Sequence, residues 1–146
     1  MASPSTGNIA LAHQTILEFS TPGRGTRDIT DAVAAVVRDS GVQCGLAQVF
    51  AQHTSCSLLI TENADPDVPV DLETVLARLA PDADPAYRHD AEGPDDMAAH
   101  VRNMLTGSSL SVPVGGARLL LGTWQGIYLY EHRTAPHRRR VVVTVM

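Results

Sequence analysis

The sequence has no lysine, and all eleven of its strongly basic side chains are arginines. Such a bias is first a matter of composition, although one or two forked guanidinium groups suffice for a local anion site. Cysteine is scarce as well. Cys44 and Cys56 are too few for a disulfide framework or a four-cysteine zinc site. Aromatic residues make up 4% of the chain, so aliphatic side chains must do most of the packing. No apolar run approaches the roughly 20 residues of a membrane-spanning helix. The opening stretch MASPSTGNIALAHQ lacks the basic start and apolar run of a secretory signal. The expectation is a cytoplasmic protein with no membrane partner.

What is present fits one globular domain over residues 1–146. Apolar residues form 44% and charged residues 18% of the chain, which argues for a packed core over disorder. Sixteen acids against eleven arginines give a formal charge of -5, the wrong sign for a general nucleic-acid binder. The acids crowd between Glu62 and Asp96. Arginines gather late, at Arg118, Arg133 and the run Arg138, Arg139, Arg140.

Hydrophobic periodicity predicts a strand over 9–19 and a helix over 28–39, with Ile29, Val33, Val36 and Val37 on one stripe. Asp28 or Thr26 can cap that helix and Gly41 stops it. The runs CGLAQVFAQ and CSLLIT read as strands separated by HTS. Cys56 shares a face with Leu58, Ile60 and Phe50, and His53, Ser55 and Ser57 share the other. A second helix over 66–80 carries the stripe Val68, Leu72, Val75, Leu76, Leu79. After the loop PDADPAYRHDAEGPDD, a short helix turns Met97, Val101, Met104 and Leu105 inward. The rest is strand and turn, with SVPVGGARL read as a hairpin and not a phosphate-binding loop. Strands at both ends and few short helices predict an α+β fold: a β-sandwich, jelly-roll-like, with mixed sheets.

Three histidines could converge. His53 lies at a strand junction, His89 in the acidic loop and His100 on the short helix. Three imidazoles can hold zinc and leave a position open, but their spacing matches no short zinc motif. On spacing alone, three unrelated surface or hydrogen-bonded histidines are the favoured reading. Asp90, Glu92, Asp95 and Asp96 flank the pair, as carboxylates that orient metal-bound imidazoles do, and also as helix caps do. Ser55 and Cys56 lack a nucleophile elbow, and Cys56 reads as inert core. His13 and His137 read as structural. In GTWQGIYLYEHR, Trp124 either plugs the core or walls a planar ligand with Gln125 as its polar contact. Glu131 and Arg133 stand near a strand end, and Arg133 is either an anion clamp or half of an ion pair.

The blocks HTSCSLLITENADPD, YRHDAEGPDDMAAH and SLSVPVGGARLLLGTWQGIYLYEHR, in that order over roughly residues 50–135, resemble the signature blocks of the YjbQ family. Its members are also called secondary thiamine-phosphate synthase enzymes. The resemblance implies a β-sandwich subunit in a homotrimer, a histidine-rich metal site with zinc as the expected ion, and a weak thiamine-phosphate synthase activity. That activity joins a pyrimidine pyrophosphate to a thiazole phosphate and releases pyrophosphate. Carried over block by block, His53, His89 and His100 are the metal ligands. Glu131 and Arg133 are catalytic, and Trp124, Gln125, Arg133, Ser55 and Glu62 contact a phosphorylated small-molecule substrate. Thr61 departs from the pattern, which has asparagine there. The alternatives are a metal-assisted phosphate-ester hydrolase using the same residues and a non-catalytic protein that captures a metal or an anion.

Overall fold

The computed structural model describes residues 11–146. In chain order the elements are β1 (His13–Thr21), β2 (Gly25–Asp28), α1 (Thr30–Ser40), β3 (Cys44–Ala51), β4 (Cys56–Glu62), α2 (Asp67–Leu79), α3 (Asp96–Thr106), β5 (Ser109–Gly115), β6 (Arg118–Leu119), β7 (Gln125–Glu131) and β8 (His137–Val145). The fold is α+β. One sheet has the order β1-β8-β3-β5-β6 and the other the order β2-β7-β4. Every pairing among the described residues is antiparallel, so the expected mixed sheets are corrected. The connections explain this: no helix-bearing crossover returns a strand beside a parallel neighbour.

Alternation places the core between the sheets. Val141, Val143 and Val145 of β8, Ala47 and Val49 of β3, and Val112 and Val114 of β5 point inward from the larger sheet. Leu58, Ile127 and Leu129 meet them from the smaller one, and Val33, Val36 and Val37 of α1 close one side. Helix α1 follows its stripe. The Asp28 carboxylate accepts the Thr30 N–H at 2.9 Å, and Gly41 ends the helix at φ 71, where a side chain would be strained. The β5–β6 hairpin turns through Gly116 and Ala117, both at positive φ (56 and 60), as a two-residue turn matched to strand twist requires.

Four expectations fail for one reason, that packing overrides local pattern. The strand expected over 9–19 begins at His13 and runs to Thr21, and residues 9 and 10 lie outside the described part. Helix α2 buries no residue, and Val75 and Leu79 of its stripe are exposed. Helix α3 turns Asp96, Ala98, Ala99 and Arg102 inward, while Met104 is 74% exposed and Leu105 is exposed with it. Phe50 sits on the outer face of β3, away from Cys56 and Leu58, which are buried in the core.

Candidate metal centre and its buried support

Strand β7 ends at Glu131, and the four residues Glu131 to Thr134 each bind a distant part of the fold, the last two sharing Asp95. Arg133 spends its guanidinium inside the protein. Its Nε donates to Asp95 Oδ2 at 3.0 Å, Nη1 to Asp96 Oδ1 at 2.8 Å, and Nη2 to the Glu92 carbonyl at 2.9 Å. Thr134 adds its N–H and hydroxyl to Asp95 Oδ2 at 2.8 and 3.2 Å. Burial alone would raise the Asp95 pKa, but the Thr134 N–H and the Arg133 guanidinium outweigh it and hold the carboxyl at about 2. These bonds tie the end of β7 to the start of α3 and to the loop that carries His89.

Asp96 and His100 lie one turn apart on α3, on the face turned toward that loop. Asp96 Oδ2 lies 2.6 Å from His89 Nε2 and 3.1 Å from His100 Nε2. The two rings meet edge to face at 5.3 Å. His89, Asp96 and His100 thus offer three ligand atoms within 4.8 Å of one another, the donor set of a small divalent cation. The loop is braced by Ala83 N–H to the Pro94 carbonyl at 2.8 Å and by Gly93 at φ 106, where a Cβ would stand 3.3 Å from Asp95 Oδ1. A cleft of about 410 Å³ opens beside His89, lined by Asp84, Tyr87, Asp90 and neighbouring backbone.

The opposite ring nitrogen of His100 carries more information. Nδ1 lies 3.2 Å from the Thr54 carbonyl, which can only accept, so the ring donates there. In the neutral ring Nε2 then holds a lone pair that faces a carboxylate oxygen. That arrangement calls for a positive centre between them, a proton or a metal ion.

His53 lies outside this cluster. Its Nε2 accepts the Arg140 N–H at 2.7 Å, and Nδ1 faces Arg139 Nη1 at 3.4 Å. Burial and then the Arg139 charge lower its pKa, so it is neutral, with its single lone pair already engaged. The HTS turn does reach the site, but through the Thr54 carbonyl. Cys56 is sealed in the core, its thiol pushed up by burial to about 11. Glu62, Trp124 and Gln125 stand together at the far end of the small sheet, where Glu62 pairs with Gln125 in register. Six residues of strand put that end ~20 Å from Glu131. There Glu62 accepts the Asp65 N–H at 3.2 Å, Gln125 Oε1 accepts the Gly122 N–H at 2.8 Å, and Trp124 is 64% exposed.

Beneath the cluster lies a buried ion pair. Arg139 Nε donates to Glu131 Oε1 at 2.7 Å and Nη2 to Oε2, and both side chains are buried. Thr21 donates to Oε1 at 2.7 Å, the Arg133 N–H to Oε2 at 3.2 Å, and Arg139 Nη2 reaches Ser55 Oγ at 2.9 Å. Burial would raise the Glu131 pKa, and these donors, Arg139 first, bring it below its ordinary value. Glu131 is thus an ionised partner with its oxygens engaged. Next to it, His132 is fully buried, with Nε2 2.8 Å from Ser57 Oγ, and burial drives its pKa down to about 3.

The sequence offered a sign of Asp96, since the i,i+4 spacing to His100 puts both on one helical face. Arg139 shares the strand parity of Val141, Val143 and Val145, which marks it as inward. Nothing local marked Ser57, His132 or Arg102.

Fold and site together define an antiparallel α+β protein with a His-Asp-His cluster braced by arginine. The model of the UPF0047 protein YjbQ-like family matches residues 15–146, and the chain belongs to that family. The chain is 50% identical over 133 residues to the UPF0047 protein sll1880 of Synechocystis, covering 91% of this chain and 90% of that one. It is 41% identical over 134 residues to the UPF0047 protein YjbQ of Escherichia coli, covering 91% and 96%. Among solved structures it is similar to the conserved hypothetical protein TT1486 of Thermus thermophilus, with TM-score 0.81, 39% identity and coverage of 90% and 99%. A YjbQ/UPF0047 protein of Clostridium acetobutylicum matches with TM-score 0.79, 38% identity and coverage of 91% and 98%.

Two predictions follow from the buried groups. Glu131→Gln leaves the Arg139 guanidinium uncompensated and should cost about 3–5 kcal/mol in urea denaturation. Glu131→Leu combined with Arg139→Met should recover most of it. His132 stays neutral in the folded chain down to about pH 3 but protonates near pH 6.5 once unfolded. Its contribution is therefore complete above pH 6.5 and is lost as pH falls from there toward 3. The midpoint of thermal unfolding should fall more steeply over that window in the wild type than in His132→Gln.

Proposed function

We propose that the chain is a metal-dependent enzyme acting on a phosphorylated small molecule, with His89, Asp96 and His100 as the ligands of a zinc ion. The reading is carried by one observation: His100, oriented by the Thr54 carbonyl, directs Nε2 at the same Asp96 oxygen that His89 approaches. Two imidazoles and a carboxylate suit zinc better than magnesium, which prefers oxygen donors. A cation held there would supply Lewis-acid stabilisation to charge developing on a phosphoryl oxygen.

The chain's own residues constrain the rest. The cleft beside His89 is lined by Asp84 and Asp90 and by no arginine, and each nitrogen of the Arg133 guanidinium already holds a bond within the protein. In that cleft the loaded cluster would be the main positive partner for an anionic substrate. This supports metal-dependent capture over simple binding by arginine. Glu131, held ionised and fully engaged, supports the electrostatics of the site and does not shuttle a proton.

The weak thiamine-phosphate synthase activity belongs to this proposal, and hydrolysis of a phosphate ester is its rival. The homotrimer belongs to it too. Val75 and Leu79 of α2 and Met104 and Leu105 of α3 are exposed, as residues covered in an assembly are. Trp124, Gln125 and Glu62, remote from the cluster within one chain, would contact substrate only from a neighbouring copy.

Chelator-stripped protein reloaded with zinc should hold one equivalent per chain, and Asp96→Asn and His100→Ala should lose it. Loaded protein given the pyrimidine pyrophosphate and thiazole phosphate should release pyrophosphate. Inorganic phosphate alone would assign the hydrolase, and tight zinc without turnover would leave a binding protein. Light scattering during gel filtration should give three times the mass of the chain, and a monomer at micromolar concentration would remove the trimer.

A further inference from the structure

Each nitrogen of the Arg133 guanidinium is bonded within the protein, and the group stands against the cluster. Its Nη1 takes Asp96 Oδ1, and the other oxygen of the same carboxylate, Oδ2, faces both histidines. Its Nη2 holds the Glu92 carbonyl in the loop that carries His89, and its Nε holds Asp95, the residue before Asp96. One planar fork therefore fixes the carboxylate ligand, the loop of the first imidazole and the start of the helix bearing the second. Asp95 and Asp96 are buried and Arg133 is largely so, while His89 and Glu92 face outward.

Resting on the metal reading above, we infer that Arg133 is the positioning residue of this centre. It holds Asp96 so that the carboxylate offers a cation one oxygen, and it sets which cations the site accepts. A carboxylate with one oxygen engaged by a guanidinium is disfavoured from chelating through both, because part of that oxygen's charge and one lone pair are already committed. That handicaps calcium, which takes six to eight oxygens and accepts bidentate carboxylates, and leaves a compact site for a first-row ion on two nitrogens and one oxygen. The fork also matters. A lysine in the same place keeps the charge but cannot span Asp95, Asp96 and Glu92 at once.

The test uses the full-length protein, stripped of metal and titrated with cobalt(II), whose visible absorption reports both affinity and ligand geometry. The wild type should bind one cobalt with a defined band in the visible, and excess calcium should not displace it. Arg133→Gln should weaken cobalt about 10–100-fold, as loss of partners behind metal ligands commonly does. Arg133→Lys should restore only part of the affinity and should shift the band. Asp95→Asn loosens the anchor while leaving the direct Arg133 contact, so it should show a smaller loss and serves if Arg133→Gln does not fold. Circular dichroism and thermal unfolding of the metal-free variants separate loss of the site from loss of the fold. Arg138→Gln, which breaks the exposed surface pair with Glu18, should leave cobalt binding unchanged. Wild-type affinity and an unchanged band in Arg133→Lys and Asp95→Asn overturn the inference while the metal reading survives. Failure of the wild type to bind cobalt or zinc overturns both.

Discussion

A carboxylate and a guanidinium, Glu131 and Arg139, join the two sheets where aliphatic packing gives out. Glu131 ends β7 in the small sheet, and Arg139 stands on the inward face of β8 in the large one. Thr21 of β1 and Ser55 of the turn before β4 complete the bonding. An isolated charge at either position would be costly, so each requires the other. Thr21, Ser55 and the Glu131–Arg139 pair, far apart in sequence, are thereby held together, and the candidate site is built beside them.

The end of β7 shows how tightly support and site are joined. Glu131 turns inward to Arg139, His132 lies under the sheet against Ser57, Arg133 reaches the carboxylates of α3, and Thr134 caps Asp95. Side chains that alternate along a strand would ordinarily divide between core and solvent. Here both faces are buried, because the loop from 80 to 95 and helix α3 cover the side that would otherwise meet water. The three candidate ligand atoms are held near one point by the bonds from the end of β7 to that loop and to α3.

Part of this was legible in the chain. The α1 stripe, the glycine that ends it, the two-residue hairpin and the core placement of Cys56 each follow from rules that act within about ten residues. The family, and with it the expected gathering of His89 and His100, came instead from the resemblance of three blocks over roughly residues 50–135. Legibility failed where an element's apolar pattern and its buried face disagreed. Helix α3 buries Asp96 and Arg102, and a stripe count has no means of seeing that Arg133 and Glu73 neutralise them. His53 looked equal to the other two histidines because residue type carries no information about which lone pair is already taken.

The sequence by itself determined the elements, the apolar alternation that buries Val141, Val143 and Val145, and the set of chemistry-bearing side chains. Only the tertiary structure decided which of them meet. Arg133 and Asp96 are 37 residues apart, and Arg139 and Ser55 are 84 apart. Their contacts depend on strand register and on the lie of one loop, which no local period encodes. Asp96 replaces His53 beside the histidine pair for that reason: hydrogen-bond capacity is finite, and the fold settles where each donor and acceptor is spent.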